Sequence, residues 1–165
     1  MIPMVTALLE QCEAAGIPCD VVQSTRTMSE QERIYEQGRT TPGSIVSHAK
    51  PGDSYHNYGL AVDIVPRVYR ELPSWNPSGP LWQRVGAIGK NIGLEWGGDW
   101  TRPDLPHFQL TAAPLSELKA YWQKFKAIMP ISVTPSDAGL TIAAGLAIVW
   151  FGFLRPQLSK RKMIG

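Results

Sequence analysis

The sequence has few cysteines and little net charge, and both shortages narrow its class. Two cysteines, Cys12 and Cys19, occur in 165 residues, and their spacing is not that of a C-x-x-C motif. Two are too few for a disulfide framework, so either one bridge or two free thiols remain open. The net charge of +2 gives no sign of a nucleic-acid-binding surface. A hydrophobic content of 44% excludes a disordered polymer, and the length suits one domain.

Acidic residues are absent after Asp137, and residues 138–154 (AGLTIAAGLAIVWFGFL) carry no charge of either sign. As a helix this segment would be about 25 Å long, close to the ~30 Å hydrocarbon core of a bilayer. Aromatic residues near one end and the basic residues that follow are typical of a span whose tail stays in the cytoplasm. We therefore predict a transmembrane helix over 138–154 and a cytoplasmic tail over 155–165. The alternative is a buried core helix.

The N-terminus lacks the basic start of a secretory signal peptide, and its apolar spacing predicts an amphipathic helix instead. Periodicity and turn residues predict helices over 3–15, 28–37, 80–91 and 114–127, and strands over 19–24, 59–65, 94–96 and 107–110. A capping pattern at Ser29–Glu32 is expected to open the second helix. Residues 1–128 are predicted as one domain and residues 129–137 as a linker. Without regular βαβ alternation, the class is α+β, a small antiparallel sheet flanked by helices.

Strand 59–65 (GLAVDIV) has one aliphatic face and one face that carries a carboxylate. The aliphatic face is formed by Leu60, Val62 and Ile64, whereas Gly59, Ala61 and Asp63 share the other. An aspartate in an apolar strand is costly unless a cation or hydrogen-bond donors satisfy it. A divalent metal would satisfy Asp63, and an ion-pair partner is the alternative.

Histidine is also scarce, and two of the three histidines lie in segments that look functional: His56 in SYHNYGLAVD and His107 in DLPHFQL. In strand 107–110, His107 and Gln109 face the same way. Two imidazoles and one carboxylate with an open fourth position are typical of catalytic zinc, although non-haem iron uses the same ligand types. Asp104, three residues before His107, is placed to act as a general base. Structural, hydrogen-bonded histidines are the alternative.

The strings SYHNYGLAVDIV and EWGGDW…DLPHFQL closely resemble the zinc peptidases that cut peptidoglycan peptides. That family includes D-alanyl-D-alanine carboxypeptidases, vancomycin-resistance dipeptidases and the L-alanyl-D-glutamate endopeptidases of phage endolysins and bacilli. The combination of S-x-H-x₆-D with [DE]-x-x-H is specific, and the resemblance covers roughly residues 3–127. It implies one zinc ion at the sheet, held by His56, Asp63 and His107, with Asp104 as the catalytic acid/base.

The resemblance also implies roles for residues around the predicted zinc site. Arg26 matches the family arginine that stabilises the oxyanion, and a fixed guanidinium suits that charge. The remaining substrate-site candidates are Ser54, which would orient the His56 loop; Trp96 and Trp100, which would line a peptide groove or simply pack; and Asp99, which would support a ligand histidine. The helix residues Gln31, Tyr35, Gly38 and Arg39 continue the family pattern and are interpreted mainly as scaffold.

The string WGGDW most resembles the phage branch, which favours an endolysin-like L-alanyl-D-glutamate endopeptidase. The alternatives are a D-alanyl-D-alanine carboxypeptidase or dipeptidase, and a zinc-stabilised wall-binding module without catalysis. The expected partners are the peptidoglycan stem peptide, the membrane through the C-terminal helix and a holin for export, with no nucleic acid. A phage or prophage protein at the inner membrane, with its catalytic domain facing the wall, would fit these expectations.

Overall fold

The computed structural model describes residues 1–70 and 76–128. The elements in chain order are α1 (Ile2–Ala14), β1 (Cys19–Gln23), α2 (Met28–Glu36), a 3₁₀ turn (Tyr55–Tyr58), β2 (Ala61–Pro66), α3 (Arg67–Arg70), α4 (Leu81–Asn91), β3 (Glu95–Trp96), a second 3₁₀ turn (Gly97–Asp99), β4 (His107–Gln109) and α5 (Leu115–Ile128). Every predicted helix and strand is present, with bounds within two residues of those expected. The short helix α3 lies between the predicted strand 59–65 and the predicted helix 80–91, where the sequence pattern indicates neither helix nor strand.

The four strands form one antiparallel sheet in the order β1-β2-β4-β3. This confirms the α+β class and the small antiparallel sheet. Strand β2 is central and pairs with β4 so that Asp63 lies opposite His107 and Ala61 lies opposite Gln109. Residues directly opposite in an antiparallel pair point to the same face, so the register brings a carboxylate and an imidazole together.

The other face of the sheet is packed against helices. The core combines residues of α1, α4 and the strands, among them Leu8, Val62, Ile64, Trp82, Val85, Trp96 and Phe108. Two glycines on α4 allow the aromatic rings of the sheet to approach closely. A Cβ atom at Gly86 would lie 2.3 Å from the Trp96 ring, and one at Gly89 would lie 2.3 Å from the Phe108 ring. Aliphatic and aromatic side chains therefore fill this face and leave the opposite face to polar groups.

The structure corrects the predicted cap of α2 and resolves the state of the two cysteines. The cap of α2 is not at Ser29, because the helix already begins at Met28. Thr27 is the cap: its Oγ1 accepts from the Glu30 backbone N–H, while the Glu30 carboxylate accepts from the Thr27 N–H at 2.7 Å. Cys12 and Cys19 are both buried free thiols, so the structure contains no bridge between them.

The chain divides into two compact units, Met1–Thr111 and Ala112–Gly165. All predicted site residues lie in the first unit. The second unit is described only over residues 112–128, which include α5. The predicted linker, membrane span and basic tail (129–137, 138–154 and 155–165) lie outside the described residues. Within the described ranges, no helix combines the length and apolar character that crossing a membrane requires.

Candidate metal centre

Three predicted ligands converge on the polar face of the sheet. His56 lies in the 3₁₀ turn before β2, where the Ser54 Oγ accepts from the His56 backbone N–H at 3.3 Å. The turn ends at Gly59, whose φ of 65° is readily adopted only by a residue without a Cβ atom. Asp63 and His107 then enter the site from paired positions on β2 and β4. Ser54 thus caps the turn that carries His56.

The three donor atoms form a nearly equilateral triangle. His56 Nε2 lies 3.2 Å from Asp63 Oδ1 and 3.2 Å from His107 Nδ1, and His107 Nδ1 lies 3.1 Å from Asp63 Oδ1. Tetrahedral zinc with ligands at about 2.1 Å would separate its donors by about 3.4 Å. The triangle therefore has nearly the size that a tetrahedral zinc ion needs, with one position left open.

The outward-facing ring nitrogens determine which atoms face the centre of the triangle. His56 Nδ1 donates to the Ser24 carbonyl oxygen at 2.6 Å, and His107 Nε2 donates to Gln109 Oε1 at 3.0 Å. With those protons outside, His56 Nε2 and His107 Nδ1 both present lone pairs to each other and to Asp63. Three lone-pair donors this close repel one another unless a proton or a cation lies between them. The donor set therefore fits a metal ion.

The pKa values within the triangle follow from the same crowding. Burial alone would raise the pKa of Asp63, but the adjacent His107 and His56 imidazoles hold it well below its usual range. Burial alone would lower the pKa of His107, but the Asp63 carboxylate raises it. Without a metal, Asp63 is thus ionised and His107 tends to hold a proton. A metal ion must compete with that proton, so its binding weakens as the pH falls.

Arg26 lies beside the ligand carboxylate. Its Nη2 is 3.9 Å from Asp63 Oδ2, and its Nη1 donates to Gln31 Oε1 at 2.9 Å. Gln31 is completely buried, and its Nε2 donates to Ser47 Oγ at 3.0 Å and to the Ala49 carbonyl at 2.7 Å. Gln31, predicted mainly as scaffold, therefore also fixes the guanidinium. The sequence signal was its place in the family helix pattern, which does not reveal what the amide contacts.

Asp104 lies on the loop that leads into β4. Its backbone N–H donates to the Gly97 carbonyl at 2.9 Å, and its carbonyl accepts from the His107 N–H at 3.2 Å. A Cβ atom at Gly97 would lie 2.6 Å from the Asp104 carbonyl oxygen, so glycine is what lets the two loops meet. Although Asp104 is exposed, surrounding protein desolvates its carboxyl and raises its pKa, and the negative charge of Asp63 raises it further.

The remaining predicted substrate residues divide between site and core. The Trp100 ring lies 5.0 Å from the His107 ring, so it borders the metal centre. Trp96 is only 1% exposed, stacks on Phe108 and donates its indole N–H to a main-chain carbonyl; it packs and does not line a groove. Asp99 does not support a ligand histidine, because its carboxylate is paired with Lys90 Nζ at 2.8 Å on the surface.

The sequence does not reveal the residues that continue outward from His107. Strand alternation places Gln109 on the same face as His107, but nothing in the sequence gives a role to Gln109, Thr111 or Glu95. Gln109 Nε2 donates to Thr111 Oγ1 at 3.4 Å, and the Thr111 hydroxyl donates to Glu95 Oε2 at 2.6 Å. Strand alternation could have indicated Gln109, but only the pairing of β3 with β4 brings Glu95 opposite it.

A family match covers the part of the chain that carries the metal-ligand candidates. Residues 47–110, which contain all three metal-ligand candidates, match the model of the family described as D-alanyl-D-alanine carboxypeptidase. The chain is also similar to the LdcB LD-carboxypeptidase structure, with a TM-score of 0.52 and 20% identity over 74% of this chain and 61% of that one. At this identity the structural likeness concerns the fold alone.

One curated relative is a peptidoglycan endopeptidase. The peptidoglycan L-alanyl-D-glutamate endopeptidase CwlK of Bacillus subtilis (strain 168) is 41% identical over 103 residues, covering 58% of this chain and 62% of CwlK. The chain thus matches less than two thirds of the length of this curated relative. The L-Ala D-Glu endopeptidase ChiX of Serratia marcescens is 24% identical with a TM-score of 0.45, covering 66% of this chain and 79% of ChiX. The family match and CwlK confirm the resemblance to peptidoglycan peptidases.

Proposed function

We propose that the chain is a zinc-dependent peptidase of peptidoglycan that hydrolyses the L-alanyl-D-glutamate bond of the stem peptide. The observation that carries the proposal is the triangle of His56, Asp63 and His107 donor atoms, with Asp104 and Arg26 beside it. The choice of bond is supported by the name of CwlK and by its 41% identity.

Different residues of the site would bind the metal, transfer the proton and stabilise the oxyanion during amide hydrolysis. When bound by His56, Asp63 and His107, zinc lowers the pKa of a water molecule and polarises a peptide carbonyl. The Asp104 carboxylate accepts a proton from the attacking water and delivers it to the leaving amine. The Arg26 guanidinium, held by Gln31, donates hydrogen bonds to the negative charge that develops on the carbonyl oxygen.

The raised pKa of Asp104 suits this proton transfer. A carboxyl that holds protons more strongly than a free aspartate is a stronger base toward water and still releases its proton to an amine. Its environment therefore matches the acid/base role implied by the position three residues before His107.

Digestion of purified peptidoglycan followed by mass spectrometry of the fragments tests this function. Stem peptides should be released with a new N-terminal D-glutamate, cleavage should stop with a chelator, and zinc should restore it. Asp104→Asn is the matched control, because it should keep the metal ligands and lose cleavage. Release of free D-alanine alone would instead favour the second candidate, a D-alanyl-D-alanine carboxypeptidase, which the family description supports. Binding of intact wall without cleavage would favour the non-catalytic module.

We further propose that residues 138–154 anchor the chain in the inner membrane of the host cell, with the catalytic part facing the wall. The uncharged run and the basic residues after it support this proposal. The family resemblance supports an endolysin-like protein of phage or prophage origin that depends on a holin for export. Replacing Leu146 and Val149 together by lysine should move the full chain from the membrane pellet to the soluble fraction, since each costs about 3 kcal/mol in a bilayer. An unchanged distribution would contradict the anchor.

A further inference from the structure

A chain of hydrogen bonds runs from His107 to a carboxylate outside the metal centre, and its meaning rests on the proposed function. It passes from His107 Nε2 to Gln109 Oε1 at 3.0 Å, from Gln109 Nε2 to Thr111 Oγ1 at 3.4 Å, and from the Thr111 hydroxyl to Glu95 Oε2 at 2.6 Å. His56 has no such chain, because its outer nitrogen contacts the main-chain oxygen of Ser24 directly.

The carboxylate at the end of the chain fixes the direction of every bond in it. An ionised carboxylate only accepts hydrogen bonds, so the Thr111 hydroxyl must donate to Glu95. The Thr111 oxygen is then left to accept, which turns the Gln109 amide nitrogen toward it. The Gln109 amide oxygen must therefore face His107, whose Nε2 carries the proton. Nδ1 is left with its lone pair pointing at Asp63 and His56.

Glu95 also holds a second group against His107. Its Oε1 accepts from the Trp100 indole N–H at 2.7 Å, and the Trp100 ring lies 5.0 Å from the His107 ring. Hydrogen bonds from Thr111, Trp100 and Gln109 lower the pKa of Glu95, so the carboxyl stays ionised and keeps accepting. One carboxylate thus governs both the tautomer of His107 and the ring that borders it.

We propose that Glu95 is a positioning residue for the metal centre: through Thr111 and Gln109 it sets His107 in the tautomer that presents Nδ1 to the metal. Replacing Glu95 by glutamine places an amide nitrogen where an acceptor is needed. The Thr111 hydroxyl can then turn toward Gln109, the Gln109 amide can flip, and the proton of His107 can move to the nitrogen that should bind metal.

The zinc dissociation constant, measured by competition with a chromogenic chelator on the full chain, tests the proposal. Glu95→Gln and Thr111→Val should each weaken zinc binding about 10- to 100-fold, the usual effect of losing an outer partner of a metal ligand. Asp99→Asn is the matched control: it makes the same charge change nearby, on a carboxylate that is paired with Lys90, and should leave the dissociation constant unchanged. Nitrogen-15 NMR of the His107 ring in the zinc-free protein, at a pH high enough to leave the ring neutral, should show a shift toward the Nδ1–H tautomer only in the first two variants.

A double variant separates positioning from general damage to the fold. Combining Glu95→Gln with Gln109→Glu moves the carboxylate to the position that contacts His107 Nε2, so the tautomer and most of the zinc affinity should return. Equal zinc binding and an unchanged tautomer in Glu95→Gln, an equal loss in Asp99→Asn, or no recovery in the double variant would each overturn the proposal. Failure of the wild-type chain to bind zinc would instead overturn the proposed function.

Discussion

The two histidines of the metal centre are held in different ways. On the His56 side the main chain does the holding: Nδ1 donates to the Ser24 carbonyl, and the His56 carbonyl accepts from the Arg26 N–H at 3.0 Å. On the His107 side, the outer nitrogen is held by the side chain of Gln109. The main-chain side is fixed by the path of the backbone, which few single substitutions change. The side-chain side can be altered one residue at a time.

Removing the ligand shared by both sides should have the largest effect. Asp63→Ala deletes the carboxylate that contacts both imidazoles, and hydrolysis should fall at least about 1,000-fold, because a bound metal contributes several kcal/mol to the transition state. Zinc titration measures the loss of metal binding, and peptidoglycan digestion measures the loss of hydrolysis. Tight zinc binding by the purified variant would contradict the assigned ligand set.

Asp104→Asn should lower kcat by about 100- to 10,000-fold while leaving zinc affinity nearly unchanged, because the proposed mechanism makes Asp104 a proton carrier and not a ligand. Since Asp104 must be ionised to accept a proton, wild-type activity should fall as the pH drops through its raised pKa. The pH–rate profile checks the sign, and Asp104→Glu is the control that keeps a carboxyl group. Zinc loss in Asp104→Asn equal to that in Asp63→Ala would place Asp104 among the ligands instead.

Replacing one buried glutamine on each side sharpens the comparison directly. Gln31→Leu leaves Arg26 and two loop acceptors without their amide, which should cost about 1–3 kcal/mol of unfolding free energy and lower kcat, with little change in zinc affinity. Gln109→Leu should lower zinc affinity, because it removes the acceptor of His107. Thermal unfolding and zinc titration of both variants separate the two effects, and identical profiles would remove the distinction between the sides.

The apolar face beneath the His107 side should respond through stability. Gly86→Ala places a Cβ atom 2.3 Å from the Trp96 ring, an overpacking that should cost about 1–3 kcal/mol. Gln83→Ala, at an exposed position of the same helix, is the control and should be nearly neutral. Denaturant unfolding measures the free energy of unfolding of the two variants. Equal values would show that the Trp96 ring shifts without loss of stability.

The smallest effect is expected from the surface pair between Lys90 and Asp99. Asp99→Ala should change stability by less than about 1 kcal/mol, because both partners are half exposed. It should leave hydrolysis unchanged, although Asp99 is close in sequence to Trp100. A large loss of activity would instead indicate that Asp99 supports a ligand histidine, as the sequence suggested.

The sequence predicted the elements and the chemistry better than it predicted the contacts. Alternation in GLAVDIV places Asp63 on the face of the strand away from the aliphatic residues. The motif spacing indicates which two histidines are metal ligands. Whether a tryptophan packs or lines a groove depends on what covers it, so the sequence alone does not decide between the two roles for Trp96. The hydrogen-bond chain from His107 depends on β3 lying beside β4. Local periodicity carries no information about such pairing between strands.

The register between β2 and β4 couples metal binding to correct folding of the sheet. A slip of one residue between these strands would turn Asp63 toward the hydrophobic side and leave His107 opposite an aliphatic neighbour. Such a sheet would offer no complete ligand set, so only a chain folded in the correct register would capture zinc. Zinc binding would thus report on correct pairing of β2 with β4, since a slipped sheet would lack the ligand set.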